Sequence, residues 1–242
     1  MVPEPCSPKE NHILASLPRE EYGTLSPHLE SVFLPAGSVL YDSLHKSISV
    51  YFPIDCTASL VYSTADGASP EIAVIGREGM AGIALIIGDV SPWNRTIVQS
   101  AGFAYRLKAS LLRSEFERID ALRRSLLQYI SALMTQIGQT AVCNRFHSVE
   151  QQLCRWLLMH TDRLRTDELA VTQERIATLL GVRREGISAA AAALQDGGAI
   201  RYHRGRIAIV DRQRLEARVC ECYAAIRNRY ELLPSHAAVR SI

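Results

Sequence analysis

The sequence predicts an α+β fold in three successive parts: an N-terminal antiparallel β domain, a single long helix, and a C-terminal winged helix-turn-helix domain. Three observations predict it. Short runs rich in Val, Ile, Tyr and Phe fill residues 32–107, broken by Gly and Pro and without a βαβ rhythm. After Leu107 the apolar residues recur every three to four positions, the period of an α-helix. Between Val171 and Val210, a capped helix, a glycine turn, a second helix and a basic hairpin follow one another.

Residues 11–30 read as a short helical lead, with Ile13, Leu14, Leu17, Leu25 and Leu29 apolar and Pro18 and Pro27 as punctuation. The runs SVFL, SVLY, ISVYF, ASLVY, EIAVI, NRTIVQ and FAYRL then alternate closely with turns, as in an antiparallel sandwich or barrel. Ser110 to Ile119 predicts one short helix, and Asp120 the N-cap of a long one reaching about Arg145. Along it, Leu122, Leu126, Tyr129 with Ile130, Leu133 and Ile137 form an apolar seam. Such a seam either pairs with a second copy of the helix, the expected dimer interface, or packs on the β domain. Ser148-Val-Glu-Gln151 has the capping-box pattern, so a new helix starts there and carries Leu153, Trp156, Leu157 and Leu158 into a separate small core. The expected divisions are 1–119 for the β domain, 120–147 for the long helix and hinge, 148–218 for the helix-turn-helix domain, and 219–242 for a last helix and tail.

A net charge of +2 hides an asymmetry. Residues 1–110 carry 7 basic and 11 acidic side chains, whereas residues 172–218 carry 9 and 5, so the anion-seeking surface lies in the C-terminal part. The start has no basic stretch followed by an apolar run, and no run of about 18 apolar residues occurs, which points to a cytoplasmic protein without a membrane partner. Six cysteines are scattered at positions 6, 56, 143, 154, 220 and 222, and in a chain of this length they read as reduced thiols. Cys220 and Cys222, with Cys154 or His160, are the candidates for metal ligands. Two helical residues two apart point about 200° away from each other, so no metal site is expected. The glycines of Gly76-Arg-Glu-Gly79-Met-Ala-Gly82 lack the Lys-Ser/Thr of a phosphate loop, no catalytic residues stand out, and the chain does not read as an enzyme.

The informative stretch is the last one. Thr172 caps the first helix, Gly181 makes the turn, and the second helix begins near Arg183. Ile187, Ala191 and Leu194 give that helix an inward face, while Arg184, Glu185, Ser188 and Ala189 share another near its N-terminal end, where a recognition helix reads bases. Arg184 suits the O6 and N7 of guanine, Glu185 a cytosine N4, and Ala189 a thymine methyl. Thr172, Gln173 and Arg183 are better placed for phosphates, and Arg204 and Arg206 sit at the tip of the wing.

At Thr172-Gln-Glu-Arg-Ile-Ala-Thr-Leu-Leu-Gly-Val-Arg-Arg-Glu-Gly-Ile-Ser188 the sequence resembles the Crp/Fnr family of bacterial transcription regulators, and the resemblance extends over nearly the whole chain. It implies a jelly-roll-like β-roll as effector domain, a long dimerisation helix and a winged helix-turn-helix. The anticipated partners are a palindromic double-stranded DNA operator, a second copy of the chain and RNA polymerase. Relatives that bind cyclic AMP carry Gly-Glu and then Arg-Ser in the β-roll. Here Gly82 is followed by Ile83, and Arg95-Thr96 comes after an insertion through Asp89, Pro92 and Trp93; the long helix has Ile137-Gly138 where Thr-Ser would meet the adenine. Losing the carboxylate leaves a ribose hydroxyl without its acceptor, a cost of about 1–3 kcal/mol, so the usual cyclic AMP mode is not expected and any small-molecule effector is unidentified. Arg95 is either the anchor of an anionic effector or a surface arginine. Cys6 stands alone where iron–sulfur relatives cluster several cysteines, and His45 and His147 are the candidates for an axial haem ligand. Two other readings stay open: a sensor or scaffold with a degenerate helix-turn-helix, and a small-molecule-binding or redox protein in which the cysteines carry the function.

Overall fold

The computed structural model describes residues 7–41, 48–65, 67–88, 94–164 and 166–234. Cys6, His45 and the insertion at Asp89, Pro92 and Trp93 lie outside them. After a 3-10 turn at Pro8–Glu10 come α1 (His12–Ala15) and α2 (Arg19–Leu25). Asn11 ties this lead to the β domain: its Oδ1 accepts from Ile13 N at 3.1 Å, and its Nδ2 donates to the carbonyls of Pro53 at 3.0 Å and Gly79 at 2.8 Å.

The β domain contains β1 (Glu30–Leu34), β2 (Val39–Tyr41), β3 (Ser49–Pro53), β4 (Thr57–Tyr62), β5 (Glu71–Ile75), a single-turn α3 (Ala84–Ile87), β6 (Asn94–Ser100) and β7 (Gly102–Lys108). They form two antiparallel sheets ordered β1-β7-β3 and β2-β6-β4-β5. Period-two alternation sorts the side chains. Along β7, Ala104 joins Leu34, Tyr41, Ala58, Ile75 and Val98 between the sheets, whereas Tyr105 and Leu107 join Val50, Phe52, Leu14, Leu25 and Leu112 beneath the helices.

Next come α4 (Ala109–Arg118) and the 27-residue α5 (Asp120–Phe146). Asp120 is not the cap; Ile119 holds that position, without a side-chain bond, and Asp120 lies in the first turn, paired with Arg123. There a carboxylate complements the positive end of the helix dipole. The expected dimer seam is also corrected. Leu122, Leu126, Tyr129 and Leu133 are buried within the chain itself, and Tyr129 Oη donates to the carbonyl of Met80 at 3.1 Å. This face covers the β domain, so only Ile130 and Ile137 of the predicted set keep partial exposure.

The remaining elements are α6 (Val149–Thr161), β8 (Glu168–Ala170), α7 (Gln173–Leu180), α8 (Arg184–Asp196), β9 (Ile200–His203), β10 (Arg206–Ile209), α9 (Arg212–Glu216) and α10 (Glu221–Glu231). The capping box of α6 forms: Ser148 Oγ accepts from Gln151 N at 3.2 Å, and Gln151 Oε1 accepts from Ser148 N at 3.1 Å. The core behind it is not separate. Leu153, Trp156, Leu157 and Leu158 belong to one buried cluster that runs back through α5 to Ile13. A polar network reinforces the junction. Arg163 Nε lies 2.7 Å from Glu78 Oε1, its Nη2 donates to Gln136 Oε1 at 3.3 Å, and Tyr230 Oη donates to the same oxygen at 2.8 Å. His160 Nε2 sits 3.2 Å from Glu71.

Candidate nucleic-acid interface

Two helices and a hairpin build this surface, each positioned by local chemistry. Thr172 Oγ1 accepts from Arg175 N at 3.2 Å and starts α7. Gly181 ends it at φ +66°, a left-handed conformation that costs other L-residues about 1–2 kcal/mol. After Val182 and Arg183, α8 begins. Ile187, Ala191 and Leu194 anchor its inner face, leaving Arg184, Glu185, Ala189 and Ala192 exposed.

The guanidinium groups of Arg183 and Arg184 have no hydrogen-bond or ion-pair partner among the described residues. An arginine held at the start of an exposed helix with its donors unspent is disposed to meet an external acceptor. Gln173 and Ser188 are used differently from expectation. Ser188 Oγ donates to Gln173 Oε1 at 2.7 Å, which locks α8 against α7 and leaves the amide nitrogen of Gln173 as the outward donor.

The wing pairs β10 with β9 in the register Arg206↔His203 and Ile207↔Tyr202. Arg204 and Gly205 form its turn at φ +45° and +75°, as a two-residue turn with two left-handed positions requires. Sequence reasoning missed β8, which pairs on the other side of β10; only Leu169 of its three residues is buried, too short a pattern to read. This third strand changes one assignment. Arg206 Nη1 lies 2.6 Å from Glu168 Oε1, so part of its charge is met within the sheet, whereas Arg204 is exposed and has no such partner among the described residues.

The predicted effector residues are only partly gathered. Gly82 and Thr96 line one cavity of about 40 Å3 with Tyr41, Ile83, Met80 and Leu133; Arg95, next to Thr96 on β6, does not line it. Gly82 has φ +97°, and a Cβ there would collide with the Tyr41 hydroxyl. A larger cavity of about 290 Å3 opens between the β domain and the C-terminal helices, lined by Arg77, Glu78, Arg163, Arg212 and Tyr230 among others.

Metal-binding side chains collect elsewhere, in a grouping that the sequence pattern does not lead one to expect. Cys220 is the N-cap of α10, with extended φ −79° and ψ 166°, and is not a helical residue. Cys220 and Cys222 therefore do not diverge as two helical residues would. Both thiols lie beside Cys143 and His147, with all four donor atoms within 4.8 Å of one another, while Cys154 and His160 lie apart from that group. The one sequence signal was Cys143-x-x-x-His147, a spacing that puts two donors on the same side of a helix end.

Residues 151–218 match the family described as the Crp-like helix-turn-helix domain. Solved structures extend the likeness in fold to the rest of the chain. A protein from Eubacterium rectale assigned to the Crp/Fnr family of transcriptional regulators aligns with TM-score 0.66 and 16% identity over 85% of this chain and 96% of its own. FixK2 from Bradyrhizobium japonicum gives 0.66 and 16% over 79% and 98%. CLP from Xanthomonas campestris, a c-di-GMP-responsive global regulator, gives 0.63 and 15% over 80% and 100%. No curated protein sequence matches the chain. No helix among the described residues is long and apolar enough to cross a membrane.

Proposed function

We propose that the protein is a sequence-specific DNA-binding transcription regulator that works as a homodimer. The observation that carries this reading is the unpartnered Arg183–Arg184 pair at the exposed start of α8, beside a wing that presents Arg204. In a helix-turn-helix this is the end that reaches base edges, while wing and first-helix residues hold phosphates and fix the register. Arg184 reads a guanine, Glu185 and Ala189 read its neighbours, and Thr172, Gln173, Arg183, Arg204 and Arg206 position the duplex. The test is selection from a pool of random duplex DNA by the purified chain at moderate salt. A palindromic motif with half-sites one helical turn apart is expected; no retention at any salt concentration sinks the reading in favour of a scaffold with a degenerate helix-turn-helix.

Dimerisation uses a face of α5 one step round from the buried one. Leu127, Ile130, Met134, Ile137 and Ala141 recur at alternating steps of three and four, the heptad spacing of a two-stranded coiled coil. Leu127 is 51% exposed and Met134 67%, against the near-complete burial of Leu126 and Leu133 beside them. A second copy of the same helix covers this stripe, and a two-fold axis there brings Met134 close to its own mate. Met134→Glu places two carboxylates at the axis, and the dimer should weaken by at least roughly 100-fold, a cost of about 3 kcal/mol. Sedimentation across a concentration series checks it. An unchanged dimer would place the interface elsewhere.

The β-roll acts as the effector domain, but not through the usual cyclic AMP contacts. Ile83 lies in the cavity where a carboxylate would be needed, and the space there is small. RNA polymerase is the partner anticipated at the promoter.

A further inference from the structure

Three thiols and an imidazole converge where the long helix ends and the last helix begins. Cys143 lies in the final turn of α5, and His147 caps it. Cys220 caps α10, and Cys222 lies in its first turn. Cys143 Sγ is 3.6 Å from Cys220 Sγ, and Cys222 Sγ is 3.6 Å from His147 Nδ1. With metal–ligand lengths of about 2.3 Å to sulfur and about 2.0 Å to nitrogen, the edges of a tetrahedral site are about 3.8 Å between sulfurs and about 3.5 Å from sulfur to nitrogen. Both measured edges agree with these, and the widest pair has to close by about an ångström.

Two surrounding groups suit a metal better than they suit three neutral thiols. His147 Nε2 lies 3.2 Å from Glu221 Oε1, the outer carboxylate that fixes which imidazole nitrogen faces inward as the ligand. Arg155 is 5% exposed, yet among the described residues its guanidinium meets no carboxylate. Its Nε donates to Cys143 Sγ at 3.2 Å and its Nη1 to Thr140 Oγ1 at 3.1 Å. A buried cation with only neutral partners is costly, whereas one set against a group of net charge −1 is compensated. Three thiolates around a dication carry that charge. The N-terminus of α10, where Cys220 and Cys222 sit, favours the same sign.

We propose that Cys143, His147, Cys220 and Cys222 form a closed Cys3His zinc site that clips the end of the long helix to the start of the last one. Zinc binding releases three protons, one from each thiol, and leaves a zinc tris-thiolate imidazole centre of charge −1 facing Arg155. Soft sulfur donors in a tetrahedral set select zinc over magnesium, calcium or manganese, and a full complement of four protein ligands leaves no open position for catalysis. The clip spans the hinge between α5 and α6 from outside, so it holds α10 in place without requiring that the chain bind DNA.

The test is titration of the full-length chain, under reducing conditions, with Co2+ and then Zn2+. Expected is a thiolate-to-cobalt charge-transfer band with tetrahedral ligand-field bands, saturating at one equivalent per chain and abolished by zinc. Cys222→Ser should remove about a third of the charge-transfer intensity, one thiolate in three, while Cys56→Ser in the β domain leaves it unchanged. An octahedral cobalt spectrum without charge transfer overturns the site, as does full intensity in Cys222→Ser. If that variant does not fold, X-ray absorption at the zinc edge of the native chain decides: three sulfurs and one nitrogen around the metal are expected, and fewer than three sulfurs overturns the assignment.

Discussion

Replacing Arg184 by alanine is expected to abolish recognition of the selected palindrome while leaving the fold intact. The side chain is exposed and has no partner among the described residues, so its removal breaks no internal bond of theirs. A bidentate arginine–guanine pair contributes about 1–3 kcal/mol of discrimination, and a two-fold dimer loses two of them. Specific affinity should therefore fall by about 2–6 kcal/mol, roughly 30-fold to 25,000-fold. Arg204→Ala at the wing is the contrast: it should weaken all sequences alike and lower the slope of log K against log salt by about one for each phosphate no longer neutralised. Fluorescence anisotropy on the palindrome and on a scrambled duplex, across a salt series, separates the two. If Arg184→Ala weakens both duplexes equally, α8 orients the protein but does not read the bases.

The second large effect lies in the core. Glu78 and Arg163 are each 6% exposed and joined at 2.7 Å across the junction between the β domain and the C-terminal part. Burial, the largest single effect, lowers the pKa of Arg163, but the Glu78 carboxylate, with Tyr230 and Asp162 behind it, holds the pKa above its ordinary value. The guanidinium also donates to the Met159 carbonyl at 2.8 Å and lies 4.9 Å from the Tyr230 ring. Glu78→Gln leaves that cation buried without its counter-charge, which should cost about 3–5 kcal/mol. Urea denaturation should show a correspondingly lower midpoint. The double variant Glu78→Gln with Arg163→Met should recover most of the loss, because it removes the stranded charge. Equal stability of Glu78→Gln and the parent would mean that water reaches the pair.

Signals confined to a few neighbouring residues were legible in the sequence. Ser148 and Gln151 announced a helix start, Gly181 a turn, and His203-Arg-Gly-Arg206 a hairpin, because each follows from local backbone requirements. What depends on distant residues was not. Along α5 two apolar stripes lie side by side, one through Leu126 and Leu133 and one through Leu127 and Met134. Periodicity shows that stripes exist, but only the packing partner decides which is inside. The thiol cluster was hidden for a related reason: Cys220 and Cys222 diverge only if both are helical, and a shift of one position at a helix boundary reverses that.

The filled interior of the β-roll has a consequence for signalling. The cavity beside Gly82, Ile83 and Thr96 measures about 40 Å3. That is little more than one water's share of about 30 Å3, whereas small-molecule sites usually offer roughly 300–1,000 Å3. An effector of nucleotide size that uses it must bind a rarer, widened conformer, and its apparent dissociation constant is the intrinsic one divided by the fraction of molecules already widened. If the closed form outnumbers the open one by about 100 to 1, a site of about 1 μM responds only near about 100 μM. If the roll is the effector domain, its packing density sets the concentration threshold at which a signal registers.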